Sequence, residues 1–254
     1  MLKAICMIFV LQATAGLVKA EVYEFVGTSF PLILEENKDG EVSGLGAEIA
    51  QKILHNLGHT LTIRVYPWKR AQTLVSQGKA DVLIGPYKTT ARESFLNYNR
   101  YPFYQDSMIF YVREKDKFIW DGEYASLQHK EIGIMRGWSY GAKFDRHKDR
   151  LNIQVVDTVA GNFKKLMYSR IDMFASNSRN SMAVIKQLNI GYGVKVIPPP
   201  ISINKGYFGF SKKRKLQDFL AKFDEQLKNM IDSGELQRLN QKYQLDYSPK
   251  GNSQ

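Results

Sequence analysis

The sequence predicts an α/β protein with largely parallel sheets. Two observations carry this prediction: short apolar, strand-like runs alternate with segments of helical hydrophobic period, and the alternation restarts after Tyr104 as a second unit of the same kind. Tyr23 to Gly27 reads as the first strand. Gly46 to Leu57 follows with Ala47, Ile49, Ala50, Ile53, Leu54 and Leu57 on one helical face, and Gly58 is placed to stop it. Leu61 to Tyr66 returns as a strand, Lys69 to Gln77 as a helix broken by Gly78, and Asp81 to Ile84 as a buried strand. In the second unit, strands are expected at Met108 to Val112, Ile132 to Met135, Ile153 to Val156, Met173 to Ala175 and Val194 to Ile197, with helical segments between them. Pro198-Pro199-Pro200 cannot continue a helix or a central strand and marks a rigid exit. Tyr207 to Ser211 reads as one more strand. Leu216, Phe219, Leu220, Phe223, Leu227, Met230 and Ile231 then form the core-facing stripe of a helix, and the polar residues after Tyr247 read as a disordered tail at 249–254.

The first twenty residues, MLKAICMIFVLQATAGLVKA, have the form of a secretory signal. Lys3 supplies the positive start, Ala4 to Leu17 is too short to span a bilayer, and Val18-Lys19-Ala20 ends in the small residue expected at a cleavage site. Cleavage near Ala20 would export a chain beginning at Glu21 without the single cysteine, Cys6, so no disulfide is expected. Removing Lys3 and Lys19 lowers the formal charge from +11 to +9. That excess favours encounter with anions. Its densest cluster, Lys212-Lys213-Arg214-Lys215, is short and borders an amphipathic helix, so it reads as a solvated helix start and not as a nucleic-acid surface. No later apolar run is long enough to cross a membrane, as a sensor ectodomain's continuation would require.

Six segments, DGEVSGLGAEIAQKILHNLG, GKADVLIGPYKTTARESF, YPFYQD, IGIMRGWSYG, SRIDMFASN and DSGELQRLNQKYQLDY, occur in an order that resembles the amino-acid-binding branch of the periplasmic solute-binding proteins of ABC transporters, extracellular solute-binding family 3. The resemblance covers essentially the whole exported chain. It implies a two-lobed type II periplasmic-binding-protein-like fold, each lobe a mostly parallel sheet flanked by helices, joined by two crossover strands near Tyr104 to Met108 and Ser202 to Gly206. Lobe 1 would comprise 21–105 and 206–248, and lobe 2 would comprise 106–205. It further implies a periplasmic monomer that closes on a small anionic or zwitterionic ligand and delivers it to a membrane permease, with no cofactor, no metal and no nucleic-acid partner.

Residue by residue, the resemblance assigns the ligand carboxylate to Arg92 in the T-x-x-R turn begun by Thr89. A planar guanidinium suits that bidentate task. The alternative for Arg92 is a surface pairing with Glu93 or Asp81. From lobe 2, Gly137, Trp138 and Ser139 would offer backbone N–H groups at a helix start, with Ser139 also available as a cap. Phe30 and Trp68 are candidate aromatic walls, Tyr87 a hydrogen-bonding wall, and Arg70 a solvent-facing neighbour. Three features depart from the family pattern. Asn177 stands where amino-acid binders commonly place an aspartate for the ligand ammonium, Ser29 replaces the corresponding acid of the first lobe, and the Asp81 to Arg92 interval is one residue shorter than usual. An amide cannot neutralise a cation, which counts against an ordinary α-amino acid.

Three rival chemistries are testable on the same residues. Gly137 to Gly141 fits the G-x-S-x-G nucleophile elbow, yet the last histidine, His147, lies only eight residues beyond Ser139, with no acid and histidine following in order. His55 and His59 have helical ligand spacing, but Gly58 interrupts the helix between them. A cyclohexadienyl dehydratase-like enzyme of the same fold would need a cleft acid as proton donor. The expected function is therefore binding and not catalysis.

Overall fold

The structure, a computed structural model, describes residues 20–248. The expected signal segment, apart from Ala20, and the expected tail at 249–254 lie outside the described residues. In chain order the elements are β1 (Val22–Gly27), β2 (Glu35–Glu36), β3 (Val42–Ser43), α1 (Leu45–Asn56), β4 (Thr60–Val65), α2 (Trp68–Ser76), β5 (Val82–Tyr87), α3 (Thr90–Glu93), β6 (Leu96–Tyr98) and β7 (Tyr104–Arg113). They continue with β8 (Glu131–Met135), α4 (Ala142–His147), β9 (Asn152–Val156), α5 (Val159–Met167), β10 (Met173–Asn177), α6 (Ser178–Gln187), β11 (Val194–Ser211), α7 (Gln217–Asp232) and α8 (Glu235–Lys242). This is the α/β architecture the alternating pattern predicts. The unforeseen pieces, β2, β3, α3 and β6, have between two and four residues each, too few to generate a readable period.

The strands form one sheet in the order β4-β1-β5-β11-β7-β10-β8-β9, with β6 also on β11. The first half is parallel at β4-β1-β5 and the second at β10-β8-β9. They are joined by the antiparallel pair β7 and β11, in which Tyr104 to Met108 lie opposite Gly206 to Ser202. These are the two segments expected to cross between lobes. The apolar residues gather on either side of that junction. One core holds Phe25, Ile53, Leu83, Phe208 and Phe223 between the first half of the sheet and helices α1, α2, α7 and α8. The other half is covered on both faces, because β7 alternates Met108, Phe110 and Val112 into one cluster and Ile109 and Tyr111 into another.

The prolines behave differently from the expected exit. Strand β11 runs on through them to Ser211, and the ladder with β7 breaks only between Ile197 and Ser202. A residue without an N–H is accommodated where pairing is already interrupted. Glycine is required at two places near the junction. At Gly44, which caps α1 with φ 107°, a Cβ would come within 2.6 Å of the Ile33 backbone. At Gly206 a Cβ would lie 1.8 Å from Tyr104 Cε1, so the ring of one crossover strand lies directly on the backbone of the other. Gly206→Ala should therefore lower stability by about 1–3 kcal/mol, seen as a reduced urea midpoint at unchanged slope.

Candidate ligand-binding site

Strand β5 leaves the first core through Gly85, Pro86 and Tyr87, and Thr89 then caps the short helix α3, its Oγ1 accepting from the Arg92 N–H at 3.3 Å. This cap fixes Arg92 on the inner side of the turn, where it is 6% exposed. Its Nη1 donates to the Tyr87 carbonyl at 2.8 Å and its Nη2 to the Gly137 carbonyl at 3.1 Å, while the guanidinium stacks 5.4 Å from the Trp68 ring centre. Both surface pairings considered from sequence fail. Glu93 faces Lys88 at 3.6 Å and Asp81 faces Arg214 at 3.1 Å. Among the described residues no carboxylate pairs with Arg92. Burial accordingly pulls its pKa down, partly opposed by the fields of Tyr98, Tyr87 and Asp145. Only two of its five N–H groups are engaged.

Around this cation Phe30, Trp68, Gly85, Tyr87, Arg92, Trp138, Ser139 and Asn177 enclose a cavity of ≈ 10 Å³, about the room one water needs. Phe30 and Trp68 form one wall, their ring centres 5.2 Å apart, and Trp138 meets Phe30 edge-on at 6.0 Å. Trp138 packs against all three cores, which places it at the seam of the two halves. Arg92, Trp138 and Ser139 also line a neighbouring groove of ≈ 810 Å³. Gln72, whose Nε2 is buried without a hydrogen-bond partner, also lines that groove.

Seven of the nine candidate residues thus converge. The other two act differently. Thr89 serves as the cap and lines only the outer groove. Gly137 contributes its carbonyl, which receives both Arg92 and the Trp68 Nε1 at 3.1 Å and so links the two halves of the cleft. The expected row of N–H groups at a helix start is corrected as well. The Trp138 N–H is spent on the Met135 carbonyl at 3.3 Å, and α4 begins only at Ala142, with Gly141 and not Ser139 as its cap. Ser139 instead donates its hydroxyl to Asp145 Oδ2 at 2.6 Å. Asn177 caps α6, its Oδ1 accepting from Asn180 N and Nδ2 at 2.8 and 2.9 Å, so the cavity receives no free acceptor from that oxygen. Tyr87 donates its hydroxyl to Asp106 at 2.5 Å, and burial next to that carboxylate raises its pKa well above the usual phenol range. Arg70 is solvent-exposed, as expected, above the Tyr66 ring.

Sequence reasoning missed a second buried cation, adjoining the cavity behind Phe30 and Tyr87. Arg179, in the first turn of α6, reaches Asp106 on the crossover strand with Nε at 3.1 Å and Nη2 at 2.6 Å, and the Pro31 carbonyl with Nη1 at 2.7 Å. Both side chains are buried. Burial alone would lower the arginine pKa, but the Asp106 charge and hydrogen bonds outweigh it and hold it raised. Asp106 and Arg179 are 73 positions apart. Asp106 closes the YPFYQD segment, but nothing in that segment announces its partner.

The rival chemistries have no geometry to support them. The Ser139 hydroxyl contacts an aspartate, while the His147 ring stacks on Tyr124 and its Nδ1 meets the Lys143 carbonyl. No group of metal-ligating side chains occurs among the described residues, and His59 instead packs edge-on to Tyr23.

One prediction isolates the cross-cleft contact. Trp68→Phe keeps the wall but deletes the donor to Gly137, so it should weaken ligand affinity about five-fold, equivalent to about 1 kcal/mol, by titration calorimetry.

Comparison with known proteins gives a consistent picture. The family described as bacterial extracellular solute-binding proteins, family 3, matches residues 25–246. The chain is 24% identical over 225 residues to the probable amino-acid-binding protein YxeM of Bacillus subtilis (strain 168), covering 85% of this chain and 81% of YxeM. Among solved structures, a putative L-cystine ABC transporter protein from Listeria monocytogenes superposes with a TM-score of 0.71 at 21% identity, covering 91% of this chain and 98% of that one. A histidine kinase sensor domain with similarity to periplasmic binding proteins superposes with a TM-score of 0.75 at 16% identity, over 87% and 95% of the two chains. At these identities the two structures testify to the type II periplasmic-binding-protein fold.

Proposed function

Because the chain belongs to the bacterial extracellular solute-binding proteins, family 3, we propose that it captures a small carboxylate-bearing solute outside the cytoplasm and delivers it to an ABC transporter. The observation that carries the ligand class is Arg92: a guanidinium at 6% exposure, with no carboxylate partner among the described residues and N–H groups to spare. An isolated buried charge is costly, and an incoming carboxylate with bidentate geometry relieves that cost. Transporter delivery is supported by the family and by the name of the Listeria relative.

Hinge closure supplies the mechanism. Trp68 and Arg92 from one half meet the Gly137 carbonyl of the other, and Arg179 reaches back to Pro31. A cavity of ≈ 10 Å³ does not admit a solute through its walls, so the halves must part before binding and close afterwards. A ligand touching both halves stabilises the closed arrangement because only there are both sets of contacts made.

The dehydratase alternative needs a cleft acid, and among the described residues no Asp or Glu lines the cavity. Asn177 is an amide engaged in capping, and Asp106 is held by Arg179 and Tyr87. A thermal-shift panel of amino acids, organic acids and peptides on the exported chain tests the binding reading. A carboxylate present at about 100 times its dissociation constant should add about 2.7 kcal/mol of stability. No shift across the panel, together with turnover of a prephenate-like acid, would favour the enzyme.

A further inference from the structure

The Arg179 guanidinium lies between two rings, 5.7 Å from the centre of Phe30 and 5.4 Å from that of Tyr104. Its N–H groups meet both oxygens of Asp106 and the Pro31 carbonyl. A buried carboxylate, a carbonyl and two aromatic faces are the features by which proteins bind a free organic cation. Here that receptor is filled from within, by a side chain entering from α6 of the opposite half.

We infer that Arg179 is a resident cation filling a cation site that adjoins the cavity through Phe30 and Tyr87, and that the ligand is consequently a small carboxylate carrying no ammonium or guanidinium group. The ligand part of this statement rests on the binding role given to Arg92; the cation site does not. Charge balance decides the class. Arg179 and Asp106 neutralise each other, leaving Arg92 as the uncompensated charge of the cavity. A simple carboxylate cancels it, whereas a zwitterion brings a second cation that also needs an acceptor. Three acceptors at the cavity are already engaged: Asn177 Oδ1 by Asn180, the Tyr87 carbonyl by Arg92 and Tyr98, and the Gly137 carbonyl by Arg92 and Trp68. Two carboxylates line the outer groove: Asp145, held by the Ser139 hydroxyl and the Tyr140 N–H, and Glu93, which faces Lys88 at 3.6 Å. A buried cation left without a partner is strongly disfavoured.

Deleting the resident side chain should turn the site into a receptor for an external cation. Arg179→Ala is expected to lose thermal stability and to regain it in a dose-dependent way with millimolar methylguanidinium. Wild type and the double variant Arg179→Ala/Asp106→Asn should show no such rise. If Arg179→Ala does not fold unaided, refolding with methylguanidinium present gives the same reading: recovery supports the site, and its absence overturns it. Equal responses of Arg179→Ala and the double variant also overturn it. Ligand class is read separately on wild type, by comparing amino acids with the matching acids that lack the amino group. At least a ten-fold preference for the latter is expected. Equal or tighter binding of the amino acids overturns the class assignment, while failure of every carboxylate to bind overturns the Arg92 reading and leaves the methylguanidinium result standing.

Discussion

Arg92→Ala is expected to abolish most of the affinity for the carboxylate ligand, a loss of about 2–5 kcal/mol, or roughly thirty-fold to several thousand-fold in dissociation constant. The argument is one of asymmetry between the free and bound protein. Without ligand the guanidinium has two carbonyl acceptors and one aromatic face, and it is held against a desolvation cost that depresses its pKa. With the proposed carboxylate the same group would make charge-assisted bonds in a buried site, where they are strong. Removing it therefore takes far more from the complex than from the free protein. Arg92→Lys should fall between wild type and alanine, because an ammonium keeps the charge but not the fork. Arg214→Ala is the matched control, since that arginine pairs with Asp81 at a half-exposed position away from the cleft and should leave binding unchanged. Titration calorimetry with the best carboxylate from the thermal panel measures all three. An unchanged dissociation constant in Arg92→Ala would remove the basis for the proposed binding role.

Much of this candidate site was legible because the resemblance to the family placed its residues, and local rules agree with that placement. Arg92 is set by the Thr89 cap three residues before it, a short-range signal that survives in the sequence. Phe30, Trp68 and Trp138 stand at the ends of strands or the starts of helices, where the alternation of elements places side chains at the edge of a core. The crossover segments were likewise implied by the resemblance, and β7 and β11 pair there. What could not be read depends on the meeting of distant segments. Whether Ser139 faces a ligand or Asp145, whether Gly137 presents its N–H or its carbonyl, and where the proline run leaves the ladder are all decided by packing. Arg179 is the clearest case. In sequence it is a charged residue two positions after Asn177, and only the fold brings it to Asp106.

Asp106→Ala is expected to be the most destabilising substitution at the cleft, costing about 3–5 kcal/mol. The carboxylate receives Arg179 twice and the Tyr87 hydroxyl once, and its removal strands all of these donors in an interior site. Arg179 would keep only the Pro31 carbonyl and its two aromatic neighbours. The penalty is that of leaving a buried charge unpaired and exceeds the net worth of the pair. Replacing both partners by apolar residues of similar volume, Asp106→Leu with Arg179→Met, should therefore recover a large part of the loss. Urea denaturation of the two single variants and the double variant gives the coupling directly. A loss below about 1 kcal/mol in Asp106→Ala, the range of a solvent-exposed pair, would mean that water reaches Arg179 in the free protein. The cation site would then be open, and its selection against cationic ligands would have no physical basis.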